Sequence, residues 1–177
     1  MEELRLVIPD SKYVKQYIDF ISECAEDIYK CGMYHYMPLS NESSFLDDIN
    51  GLIDKSKGIG LPVGWVPAST YWLITEDENR ILGAINIRHD LTDYLRFRGG
   101  HIAYYVHQNE RRKGYSTKML GLGLEVCRDM NIERVLITCA KDNVGSSKTI
   151  VNNGGILHSE DVDGEEQFQR YWIELDR

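Results

Sequence analysis

Positive charge is scarce in this chain: Lys and Arg number 20 against 28 Asp and Glu, a formal net charge of −8 over 177 residues. That balance excludes a general nucleic-acid or anionic-membrane binder, which needs a broad basic face. Long apolar runs are missing too. None approaches the ~20 residues a membrane helix requires, and the opening "MEELRLVIPD" lacks the basic start and apolar core of a signal peptide. The four cysteines, Cys24, Cys31, Cys127 and Cys139, form no C-x-x-C pair. They are expected to be reduced core residues of a cytoplasmic protein. The histidines have no metal-ligand spacing and no cysteine partner, so no metal is expected.

What is present suits a single domain spanning residues 1–177, long enough to bury a sizeable core. "LRLVIP" reads as a strand. From Asp10 or Ser11, a helix N-cap, Val14, Tyr17, Ile18, Ile21, Ala25 and Ile28 recur at helical spacing. A second helix is expected over "SFLDDINGLIDK", and the Gly- and Pro-rich segment 54–69 is a loop. A loop that long is either a binding lid or a packed surface loop anchored by Trp65. "TYWLITED" and "RILGAINIRHDL" read as strands about the turn "ENR", and "HIAYYVHQ" as another strand. An apolar helix from Met119 to Met130, the strand "RVLITCA", the helix "VGSSKTIVNN" and a hairpin about Asp163-Gly164 complete the order. The sum is an α/β (α+β) chain with a mixed sheet and helices on its faces.

The cations that do occur cluster. Arg111, Arg112 and Lys113 stand directly before Gly114 and the start of a helix. A helix start offers unpaired N–H groups and about half a positive charge, and glycine lets a ligand approach the backbone. The turn is therefore suited to a phosphate or pyrophosphate, with a plain charged turn as the alternative. Neither G-x-x-x-x-G-K-[ST] nor G-x-G-x-x-G occurs. Gly58–Gly60 lies in a loop, and Gly121–Gly123 falls inside the expected helix as a close-packing feature.

"ERRKGYSTKML" resembles the acyl-CoA signature [RQ]-x-x-G-x-[GA] of the GCN5-related N-acetyltransferases (GNAT). Arg111, Arg112, Lys113, Gly114, Tyr115 and Ser116 fill it in order, with serine in place of the final Gly or Ala. "DNVGSSKTIVNNGG" is similar to the N-x-x-S helix start and glycine turn of the same family, through Asn143, Ser146 and Gly154. "GGHIAYYV" and "NIRHDL" further resemble a bacterial subgroup of predicted acetyltransferases.

The resemblance implies a mostly antiparallel sheet, splayed between its two central parallel strands, "HIAYYVHQ" and "RVLITCA". It implies acetyl-CoA as cosubstrate. The backbone of Val106 would hold pantetheine, turn 111–116 would hold pyrophosphate, and Asn143 and Ser146 would contribute at the second helix. An amine, small-molecule or protein, would attack directly, while a strand N–H polarises the thioester carbonyl. The amine needs a base or a water chain, since its pKa is roughly 10. His89, His101 and Tyr105 are the candidates, each with a structural alternative. The tyrosine that usually protonates the thiolate would fall seven residues after Asn143, where Ile150 stands. Ser146 or Tyr115 could replace it, or the thiolate could leave without an acid. The competing reading is a non-catalytic acyl-CoA-binding module. The acceptor amine is not legible, and a homodimer through terminal strands or sheet edges stays open.

Overall fold

The computed structural model describes residues 3–75 and 80–175. Strand β1 (Leu4–Val7) opens the chain, and Asp10 caps the next segment by accepting from Lys12 N. The cap starts a 3-10 turn, Ser11–Tyr13, rather than the helix itself. Helix α1 (Val14–Lys30) follows and buries Tyr17, Phe20, Ile21, Cys24 and Ile28 along one stripe. Helix α2 is Phe45–Ser56, with Phe45, Ile49 and Leu52 inside and Leu46 exposed. Strands β2 (Ala68–Thr75) and β3 (Ile81–Arg88) come next; apart from Arg80, the turn read at "ENR" lies outside the described residues.

A short helix that the sequence reading did not anticipate, α3 (Asp93–Phe97), starts on Thr92, whose side chain accepts from Leu95 N. Then come β4 (Ile102–Val106), α4 (Tyr115–Asp129), β5 (Arg134–Ala140), α5 (Val144–Asn152) and the hairpin β6 (Ile156–Asp163) with β7 (Glu166–Glu174). The strands form two antiparallel sheets, ordered β1-β2-β3-β4 and β5-β7-β6. One core lies between the sheets and α4/α5, centred on Ile85, Leu120, Ile137 and Ile150. The other lies on the opposite face under α1 and α2, where Trp72 stacks on Tyr17 at 4.5 Å. Gly123 is the close-packing position expected of it: a Cβ there would meet Ile85 Cδ1 at 2.5 Å. Cys24, Cys127 and Cys139 are buried, but Cys31 is exposed just past α1, which corrects the expectation for that residue.

The sheets meet at one joint. His101 N–H donates to Leu136 O at 2.7 Å, and Gly100 bridges Ile137. Among the described residues no ladder joins β4 to β5 beyond it, so the sheet opens there. Gly100 has φ +65°, and a Cβ on it would collide with the Leu136 carbonyl, so only glycine fits the joint. His101 reinforces it, because its Nδ1 accepts from Leu136 N at 3.0 Å.

Candidate active site

Along β4 the side chains alternate as expected. Ala103 and Tyr105 face the α1 core, and Ile102, Tyr104 and Val106 face the α4/α5 core. The backbone alternates as well. His101 O accepts from Arg88 N and His107 N–H donates to Leu82 O, so odd-numbered residues turn their backbone to β3. The N–H groups of Tyr104 and Val106 therefore turn to the gap. The Val106 carbonyl accepts from Arg111 Nε at 3.3 Å.

The basic turn proves to be a backbone device. Arg111 binds Asp27 of α1, and its guanidinium lies 5.4 Å from the Tyr105 ring centre. Lys113 binds Glu110 at 2.7 Å, and Arg80 binds the same carboxylate at 2.9 Å. Burial works to raise the Glu110 pKa, but the bonds from Lys113 and Arg80 outweigh it and hold the carboxyl below its usual range. These pairs offset much of the cluster's charge and fix the loop. Arg112 is exposed with φ +65°, and Gly114, at φ +85°, caps α4. The first helical bond runs from Lys118 N to Gly114 O, so the N–H groups of Ser116 and Thr117 precede the helical ladder. A Cβ on Gly114 would meet nothing within 4 Å. Open space beside the positive end of a helix fits a pyrophosphate. Ser116, the departure from the signature, links α4 to α5 through Thr149 at 3.0 Å.

At the far side of the gap Asn143 caps α5, its Oδ1 accepting from Ser146 N at 3.0 Å. The Ser146 hydroxyl lies 2.7 Å from that of Tyr104. Burial pushes the Tyr104 hydroxyl up to about 12, against hydrogen bonds that lower it. Ile150 is fully buried in the core, so the position of the usual tyrosine supplies packing only. The sequence reading gives Tyr104 no role, and the structure brings its hydroxyl to the motif serine.

The three candidate bases are dispersed. His101 sits in the sheet joint, its pKa lowered to about 4 by burial first and then by Arg96; with Nδ1 occupied by Leu136 N–H, it has no lone pair to offer at neutral pH. Tyr105 donates to Asp27 at 2.8 Å, and burial, with Cys24 and Asp27 beside it, pushes its hydroxyl far up. His89 bonds Ser69 Oγ at 2.8 Å, and burial lowers its pKa.

On the α1/α2 side of the gap lies a cavity of about 700 Å³. Val63, Gly64, Trp65 and Val66 of the long loop form one wall. Asn86 and Arg88 of β3, Gly99 and Thr138 form the floor. From the sequence, Asn86, Arg88 and Gly99 figure only as members of "NIRHDL" and "GGHIAYYV", and none of the four floor residues has a role assigned. The signal was there: "GAINIR" is a strand buried throughout, yet places Asn and Arg two residues apart on one face. The acidic hairpin, by contrast, is neutralised within the chain. Asp163 and Glu166 pair with Arg98, Asp161 with Arg170, and Glu160 with Lys141.

A sheet parted between two strands, with a glycine-capped helix start at its open end, is the architecture of an acyl-CoA-dependent transferase. The family model described as the acetyltransferase (GNAT) family matches residues 44–149, over half of the chain, and the chain belongs to that family. No curated protein matches it. Among solved structures it is similar to the microcin C7 self-immunity acetyltransferase MccE in complex with acetyl-CoA and AMP (18% identity, 99% of this chain and 94% of that one, TM-score 0.69). It is also similar to the ribosomal L7/L12 alpha-N-protein acetyltransferase RimL in complex with coenzyme A (16%, 98% and 94%, TM-score 0.71). A third is the ribosomal-protein-S5-alanine acetyltransferase from Vibrio fischeri (15%, 97% and 91%, TM-score 0.66). Identities this low carry the fold.

Proposed function

We propose that the chain is an acetyl-CoA-dependent N-acetyltransferase whose acceptor amine enters from the α1/α2 face. The observation that carries this reading is the pairing of two features at one gap: the open donor turn at Gly114 and the Tyr104–Ser146 hydroxyl pair. Acetyl-CoA supplies an activated acetyl thioester. Arg111, Arg112, Lys113, Gly114, Tyr115 and Ser116 form the pyrophosphate turn, and the Val106 N–H faces pantetheine. Asn143 and Ser146 close the other wall.

The amine nitrogen bonds to the acetyl carbon as the carbon–sulfur bond breaks. The amine loses its proton to solvent, and the departing thiolate takes one from Ser146, which is replenished by Tyr104, itself reprotonated from solvent. The pKa of each cysteine thiol is raised, by desolvation first, which disfavours a thiolate nucleophile and favours direct transfer. His89, His101 and Tyr105 position elements in this reading.

Calorimetric titration with acetyl-CoA, joined to thiol release with amines, tests it. Binding by the native chain that is lost in the Arg111→Ala/Gly114→Ala double variant is the expected result; no binding by the native chain would sink the reading. Ile150 in place of the usual tyrosine favours one alternative, a non-catalytic acyl-CoA-binding module, whose mark would be tight binding without thiol release for any amine.

A further inference from the structure

The floor of the cavity holds two polar groups that the fold leaves incomplete. Asn86 is 1% exposed. Its Nδ2 donates to Thr70 Oγ1 at 3.1 Å and to the Ser69 carbonyl at 3.4 Å, and a carbonyl can only accept, so the amide orientation is fixed. Its Oδ1 then has no hydrogen-bond partner, although a buried acceptor normally has one. Two residues along the same strand face, Arg88 is 9% exposed. Its guanidinium donates to the carbonyls of Gly99 (3.2 Å) and Gly100 (2.8 Å) and to the Tyr36 hydroxyl (2.6 Å). Among the described residues it has no carboxylate partner. A buried cation without a counter-ion is costly unless something completes it.

The other charged groups of the lining, Lys55 and Arg98, are cationic, and the lining holds no Asp, Glu or His. Arg98 is already paired with Asp163 and Glu166. Lys55 is less buried and donates to the His35 carbonyl at 3.4 Å. Arg88 is thus the buried charge without a counter-ion, and the cavity as a whole rejects a polycationic acceptor. Residues i and i+2 of a strand lie about 7 Å apart. One small molecule can therefore reach an acceptor oxygen with an N–H group and a guanidinium with an anion.

We propose that this cavity binds a small amine bearing its own anionic group, a carboxylate or a phosphate, with the anion on Arg88 and the reacting amine held by Asn86 Oδ1. The assignment rests on the acetyltransferase reading and narrows its acceptor to amino-acid-type molecules. Arg88 neutralises the anion, Asn86 takes one N–H and turns the nitrogen lone pair to the gap, and Trp65 and Tyr36 cover the ligand. The loop 57–67 shapes the outer wall.

The test uses the full chain and four probe sets: glycine, β-alanine and γ-aminobutyrate; their carboxamides; phosphoethanolamine; and ethylamine. Acetyl-CoA affinity is measured calorimetrically, probe binding is measured without acetyl-CoA, and turnover is followed by thiol release. The expected result is a preference in kcat/KM for at least one anionic amine of roughly 30-fold or more over its neutral counterpart. The carboxylate and phosphate arms identify which anion is used. In Arg88→Gln that ratio should collapse toward one while acetyl-CoA affinity is unchanged. A ratio within one preparation does not depend on the folded fraction, and the native chain's own ratio tests the idea if Arg88→Gln fails to fold. Equal rates for acid and amide, turnover of the neutral amines alone, or no binding of any anionic amine would overturn the assignment. Anionic amines that bind to a chain deaf to acetyl-CoA would instead overturn the acetyltransferase reading and leave the cavity assignment standing.

Discussion

The hydroxyl of Tyr104 lies 2.7 Å from that of Ser146, so a side chain from β4 spans the gap to the first turn of α5. Ile150 is fully buried core, and in the proposed mechanism Tyr104 supplies the hydroxyl from the opposite wall. Because burial holds Tyr104 up at about 12, it stays protonated at every pH suited to assay. Tyr104→Phe with Ser146→Ala should lower kcat by about 10- to 100-fold, the low end for acid catalysis because a thiol of pKa ~8.5 is already a tolerable leaving group. Acetyl-CoA affinity should change little. An unchanged rate of thiol release would show that the thiolate leaves unaided.

Gly114 tests the turn independently of its cations. It adopts φ +85°, and a Cβ there would touch nothing, so Gly114→Ala is strained by backbone conformation alone. The cost should be about 1–2 kcal/mol of stability, read by urea unfolding. Any escape from that strain re-aims the helix-start N–H groups, so the acetyl-CoA Kd should rise by more than the loss of folded protein explains. Arg111→Ala should have a mixed effect, since it breaks the link from the turn to Asp27 as well as removing a charge.

The cavity lining holds no histidine and no carboxylate, so no group there titrates between pH 5 and 8. The acceptor must then react through its neutral fraction. Log kcat/KM should rise with slope one as pH increases and level off at the pKa of the amine used. Two amines of different pKa should level off at different pH values. A common plateau below pH 6.5 for both would reveal a protein base, with His89, its pKa lowered by burial, the first to examine.

The basic glycine turn is legible because its residues are contiguous: a glycine, a cation run and an apolar helix start declare themselves within one short stretch. The helices of the α1 face were legible for the same reason, as stripes within single segments. The cavity was not, since Tyr36, Trp65, the Asn86/Arg88 pair of β3 and Thr138 come from four separate segments and meet only when the sheets join. His101 misled for a related reason. A histidine in a strand beside a family motif looks chemical, but the joint with Leu136 is formed by chain distant in sequence. Helix α3 escaped because five residues carry too little periodicity to detect.

That joint has its own pH signature. His101 is 8% exposed, its Nδ1 is occupied by Leu136 N–H, and its pKa falls to about 4. Unfolded, the same imidazole titrates near 6.5. Below that value the unfolded chain takes up a proton that the folded chain refuses, so stability present above pH 6.5 is lost as pH falls toward 4. Between pH 6.5 and 5 the loss from this one group is about 2 kcal/mol. His101→Gln keeps an acceptor for Leu136 N–H and removes the titration. Urea unfolding at the two pH values should therefore show a drop larger by about that amount in the native chain than in His101→Gln. Equal drops would mean that the imidazole is protonated in the folded protein, with the joint held by Gly100 and the backbone alone.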